Sequence, residues 1–208
     1  MSKLKFCILL FIATCLSLSA QLSAKSMKDI WLSMPDSLLP YLNKNLKTEL
    51  IDLADMKVKA EVTNLLDGKT VLDTLTADYL SVRLTRGTEL QLKRLHSIQG
   101  DSLLCVVRTF MAPEPESTVS LYTMDWVKLR DCSWPTTSLL QKPDTMSLQR
   151  FHELQLLIEP ALVKASLKID EDVLLLQLSS GLVDEKDKIM LQPILLQRKL
   201  KWTGDFFN

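Results

Sequence analysis

Between Ala77 and Leu129 the chain alternates apolar and polar residues in short runs separated by turns. Tyr79 to Thr85 puts Leu80, Val82 and Leu84 on one face and Tyr79, Ser81, Arg83 and Thr85 on the other. That is the period-two pattern of a half-buried strand. Arg86-Gly87-Thr88 supplies a turn, and Glu89 to His96 and Ser102 to Phe110 follow as further strands joined by Ser97 to Asp101. Thr118 to Leu129 reads as the last strand of the set. Leu103-Leu104-Cys105-Val106-Val107 is apolar on both faces, which places it centrally, covered on both sides.

The flanks read differently. Asp29 to Met56 is helical in character: Ile30, Trp31 and Met34 make one apolar turn before Pro35, and Asp36 or Ser37 can cap a short second helix through Leu42. Leu46, Leu50, Ile51 and Leu53 form the amphipathic stripe of a third segment, which packs on the sheet or meets a partner. Asp67-Gly68 lies between the apolar-rich runs 61–66 and 69–75, predicting a two-residue hairpin with positive φ at both turn positions. After Leu129 the pattern lapses into a long connection, Arg130 to Thr145. Ser147 then caps a helix with the stripe Leu148, Phe151, Leu154 and Ile158. Leu162 to Ile169 and Val173 to Ser179 pair as strands and are expected to extend the main sheet. Asp184-Glu185 starts another helix, and Leu195 to Trp202 is the final strand. The expected class is α+β: a mainly antiparallel sheet of hairpins and meander, helices in front, and one or two helices inserted in the C-terminal half.

Composition changes this picture mainly at the N-terminus. Lys3 and Lys5 precede the apolar run Phe6 to Leu18, and small residues follow at Ser19-Ala20 and Ser23-Ala24. That is the layout of a secretory signal peptide over 1–24, leaving 25–208 as one domain and predicting export to the periplasm or beyond. Ile12-Ala13-Thr14-Cys15 is the weaker reading as a lipobox acylated at Cys15, because Thr14 stands where Gly, Ala or Ser is usual and no polar tether follows. No later run is long and apolar enough for a membrane span. The chain has 25 basic and 25 acidic groups, so losing Lys3 and Lys5 with the leader leaves −2. With no long charge run, nucleic-acid binding is not expected.

Candidate chemistry is sparse. On an unbroken final strand, Cys105 faces a residue near Thr123 and Cys132 lies roughly 30 Å away. A disulfide needs Cα atoms within about 7 Å, so it forms only if the chain doubles back at Trp134-Pro135. Otherwise Cys105 packs as a small hydrophobe. His96 and His152 have no ligands at zinc spacing, and an apolar-embedded Cys105 beside His96 makes an inert thiol rather than a dyad. The five glycines form no phosphate loop, and no G-x-S-x-G elbow is present. Asp170-Glu171-Asp172 and the acids at 184–187 lack calcium-loop spacing and read as solvated turns. No cofactor or metal is expected. Tyr122, Met124 and Trp126 share one strand face while Val119 and Leu121 share the other, so the strand is either core or an aromatic strip. Tyr122 and Trp126 are the candidate ligand or partner surface.

Met34-Pro-Asp-Ser-Leu-Leu-Pro40, Val62-Thr-Asn-Leu-Leu66, Thr74-Leu-Thr-Ala-Asp-Tyr79 and Ser117-x4-Tyr122-x3-Trp126 resemble a secreted Bacteroidales family of unknown function, as does the closing Trp202-Thr-Gly-Asp-Phe206. The resemblance implies an envelope location and assigns no residue roles. The leading expectation is a non-enzymatic interaction or structural module of the Gram-negative envelope, partnered by an envelope protein or glycan. The alternative is an enzyme or binder acting on an envelope polymer through an aromatic-lined groove.

Overall fold

The computed structural model describes residues 25–179 and 183–208; the leader, its cleavage site and Cys15 lie outside them. The architecture is α+β. Helices α1 (Met27–Leu32) and α2 (Lys44–Asp55) precede seven strands: β1 (Glu61–Thr63), β2 (Lys69–Leu75), β3 (Tyr79–Thr85), β4 (Thr88–His96), β5 (Ser102–Phe110), β6 (Glu116–Thr123) and β7 (Lys128–Cys132). These form an antiparallel meander in sequence order. A 3-10 turn at Thr136–Leu139 leads to α3 (Leu148–Leu157), β8 (Val163–Leu167), β9 (Val173–Leu178), α4 (Glu185–Leu191) and β10 (Arg198–Lys201). Strands β10, β9 and β8, in that order, make a separate three-stranded antiparallel sheet.

Period-two patterning decides which layer each residue joins. Leu80, Val82 and Leu84 of β3, Leu90 and Leu92 of β4, and Leu104 and Val106 of β5 face α1 and α2, burying Ile30, Trp31, Leu50 and Ile51 against them. The opposite face offers Leu95, Cys105, Val107, Val119 and Leu121 to α3, α4 and the small sheet. Strand β5 is therefore covered on both sides, as its apolar run requires.

Helix starts follow their capping residues. Ser26 and Asp29 form a reciprocal capping box on α1, Asn43 caps α2, Ser147 caps α3, and Asp184 caps α4 by accepting from the Asp187 N–H. The stretch from Pro35 to Leu42 forms turns rather than the expected second helix, since Pro35 and Pro40 each remove a donor.

Several strand boundaries differ from expectation. Thr118 to Leu129 is not one strand: β6 ends at Thr123, the chain reverses through Met124–Val127, and β7 runs on to Cys132. The Thr123 hydroxyl accepts from the N–H groups of Asp125 and Val127, and Trp126 takes φ 64°. A side-chain clamp of this kind leaves no glycine signal to read. The turn before β2 spans Asn64–Gly68 rather than two residues, and only Asp67 has positive φ. The Asn64 carboxamide sets it, accepting from Leu66 and Gly68 N–H and donating to the Leu84 carbonyl. Leu162–Ser179 does not extend the main sheet. The last strand is shortened to Arg198–Lys201, because Gln192–Ile194 forms a 3-10 turn and Leu195 makes an isolated bridge to Leu140.

The small sheet rests on the large one through the apolar cluster built on Leu95, Cys105 and Val107 and through a set of polar contacts. Its β8 edge is not paired with a strand. Instead, Gln91 accepts from the Leu167 N–H at 2.8 Å and Ser117 accepts from the Ala165 N–H at 2.9 Å. The buried Lys93 ammonium donates to the carbonyls of Lys168, Ile169 and Glu171 at 2.8–2.9 Å, with Asp172 at 3.5 Å. The acidic 170–172 turn is thus a cap on a lysine.

Candidate functional site

The two aromatic candidates sit in the core. Tyr122 and Trp126 are each 8% exposed and meet edge to face with ring centroids 5.7 Å apart. The Trp126 indole N–H donates to the Ile30 carbonyl at 3.1 Å, and the Trp31 indole donates to the Lys47 carbonyl at 3.1 Å. The two rings pin α1 between the sheet and α2. Met124 packs on the same cluster, so the facing read from sequence holds even though the strand ends early. No exposed aromatic strip exists at these residues.

Tyr122 nevertheless reaches a cleft. The helical layer covers β3 and β4 more fully than β5–β7, leaving an open cleft of about 470 Å³ on that face. Val106, Phe110 and Tyr122 supply its apolar floor, and Met34 and Leu38 from the Pro35 segment wall one side. Arg108 crosses to the Leu38 carbonyl and fixes that wall. Ser120 and Lys128 both donate to Asp131, at 2.6 and 2.8 Å, and these contacts lower the carboxyl's pKa, Lys128 contributing most. The same contact raises the Lys128 pKa. Both groups stay charged near neutrality, which suits recognition of hydroxyl and amide groups rather than proton transfer. Cys132 borders the cleft half-buried, and burial raises its thiol pKa, keeping it a neutral, poor nucleophile.

A larger cleft of about 740 Å³ lies between the start of α1, the end of α2 and β2. Of its lining charges, Lys28 pairs with Asp55 at 2.6 Å and Asp73 pairs with the neighbouring Arg83 at 2.7 Å, while Arg94 lies 3.5 Å from Asp78. Sequence reasoning missed both clefts. Each joins residues far apart along the chain, and neither leaves a local motif.

The remaining candidates are dispersed. His96 ends β4 and gives its carbonyl to the Trp202 indole, whereas His152 lies on α3 beside Phe151. Among the described residues no three His, Cys, Asp or Glu side chains gather for a metal. Cys105 and Cys132 are free thiols. Cys105 faces Leu121 rather than Thr123, and Cys132 faces Val119. The chain does double back, at Met124–Val127, but the cysteines end up two strands apart and two residues out of register, roughly 12 Å and too far to bridge.

A search of curated proteins returns no match. Among solved structures, the chain is similar to a domain of an uncharacterized protein from Porphyromonas gingivalis W83, with a TM-score of 0.74 at 19% identity over 89% of this chain and 99% of that one. At that identity the likeness concerns the fold alone. The family model described as protein of unknown function (DUF3256) matches residues 19–207. The chain belongs to this family, whose function is not established.

Proposed function

We propose that the protein is exported by its N-terminal leader and serves as an interaction or structural module of the Gram-negative envelope, engaging an envelope protein through the cleft over β5–β7. The observation supporting this reading is the cleft's make-up. An apolar floor of Val106, Phe110 and Tyr122 is bordered by the paired charges of Lys128 and Asp131 and by Arg108, which is tied to the Leu38 carbonyl. Such a surface favours binding of an extended or convex partner, with the floor supplying apolar contact and the rim supplying register.

The test is affinity capture with mass spectrometry from native envelopes, using the chain with its leader and a variant carrying Phe110→Ala and Arg108→Glu. Recovery of one stoichiometric partner by the parent and its loss in the variant is the expected result. Equal recovery by both, or no stoichiometric partner, overturns the role of the cleft. The N-terminus of the recovered protein tests export separately: a start at Gln21 or Lys25 is expected, and an intact leader on cytosolic protein defeats that part.

A further inference from the structure

Among the charged residues lining the β5–β7 cleft, Arg108 is the one with no opposite charge against it. Lys128 and Asp131 neutralise each other. Arg108 instead donates to the Leu38 carbonyl and pairs with no carboxylate among the described residues. Glu116 shares this sheet face but lies opposite Phe110, whereas Arg108 lies opposite Thr118. A guanidinium carries five N–H donors in a planar fork that matches a carboxylate. Here that fork is half-buried and fixed by the Leu38 contact, so it is screened less than a cation on the open surface. Its neighbours on the same face of β5 are apolar: Val106 on one side and Phe110, 42% exposed, on the other. Successive residues of this row stand about 7 Å apart, the spacing between side chains two positions apart in any extended polypeptide.

We infer that the cleft selects an extended protein segment of the pattern apolar–x–acidic–x–apolar, its acidic side chain pairing with Arg108. The inference rests on the docking reading above and names the partner's chemistry. Charge complementarity sets the central position. A neutral residue there would leave Arg108 covered without a compensating charge, and a basic one would meet a like charge. The flanking positions favour a protein over an acidic polysaccharide. A sugar carboxylate would suit Arg108, but sugar hydroxyls would lose their water against Val106 and Phe110 with nothing to bond to.

The test is a two-dimensional amide NMR titration of residues 25–208, which carry both hydrophobic clusters. The probes are the capped peptide acetyl-Leu-Thr-Glu-Thr-Leu-amide and its Gln-centred and Lys-centred counterparts. The parent is expected to bind the Glu peptide at least fivefold more tightly than the Gln peptide, a difference of about 1 kcal/mol, with shifts at the amides of Val106, Arg108 and Phe110. Arg108→Glu should reverse the order and prefer the Lys peptide, a gain that a loosened fold could not imitate. Equal binding of the Glu and Gln peptides overturns the inference, as does the absence of cleft shifts with every peptide. Trigalacturonic acid is titrated alongside. If it shifts the cleft amides while the peptides do not, the ligand is an acidic glycan and the assignment to protein falls. The docking reading fails separately, by undiminished capture of the envelope partner when Phe110 and Arg108 are replaced together.

Discussion

Gly204 and Lys93 show how much of this fold depends on single side chains, or on the lack of one. Gly204 has φ 97°, and a Cβ added there would lie 2.5 Å from the Ile98 Cγ2 atom. Gly204→Ala is expected to destabilise the protein by about 2 kcal/mol through backbone strain and the clash. Gly87→Ala, with nothing within 4 Å, should stay within about 0.5 kcal/mol; urea denaturation of both variants checks the pair. Lys93→Met leaves three carbonyls without their charged donor and should lower stability by about 2–3 kcal/mol in the same measurement. Burial raises the Cys105 thiol pKa strongly, because its surroundings cannot solvate a thiolate. Above pH ~8.5 the unfolded thiol releases its proton while the folded one keeps it. Stability should therefore fall as pH rises from there, by up to about 1.4 kcal/mol per pH unit. Cys105→Ala should reduce that slope to the smaller part left by the raised Cys132 thiol while lowering stability at every pH, and an unchanged slope would refute the assignment.

At the scale of elements, the patterning of the central strands was legible and their ends were not. Alternation in β3 and the two-sided apolar run in β5 follow from residues within a few positions of each other, so sequence alone placed them correctly. The β6–β7 reversal depends on the Thr123 hydroxyl closing on its own turn and on the indole of Trp126 reaching Ile30, ninety-six residues earlier in the chain. The same distance in sequence hides the support of β8. Its outward amides bond to Gln91 and Ser117, side chains of the other sheet, which cover what would otherwise be an open edge. Gln91→Leu is expected to reduce hydrogen-exchange protection of the Leu167 amide about tenfold while leaving amides in β5 unchanged. Equal loss in both would mean the variant had destabilised the whole fold. The outer edge of β7 is blunted differently, by the exposed charges of Lys128, Arg130 and Asp131.

For the molecule as a whole, the large sheet is the shared wall of two hydrophobic clusters, and β5 belongs to both. Unfolding either layer strips one face of that strand. Denaturation followed by near-UV and far-UV circular dichroism should therefore give coincident transitions, and two separated midpoints would show that the layers unfold independently. The amino-acid sequence by itself determined the fold class, the starts of α3 and α4, the strand faces and the central place of β5. These are local properties, set by period, capping chemistry and apolar content over a few residues. Tertiary structure alone decided that β8–β10 form a second sheet, that Lys93 is caged by a distant acidic turn, and that Tyr122 and Trp126 pack inward. It also assembled the cleft over β5–β7. Each of these joins residues tens of positions apart, and such contacts are set by packing and hydrogen-bond satisfaction between layers rather than by any periodicity along the chain.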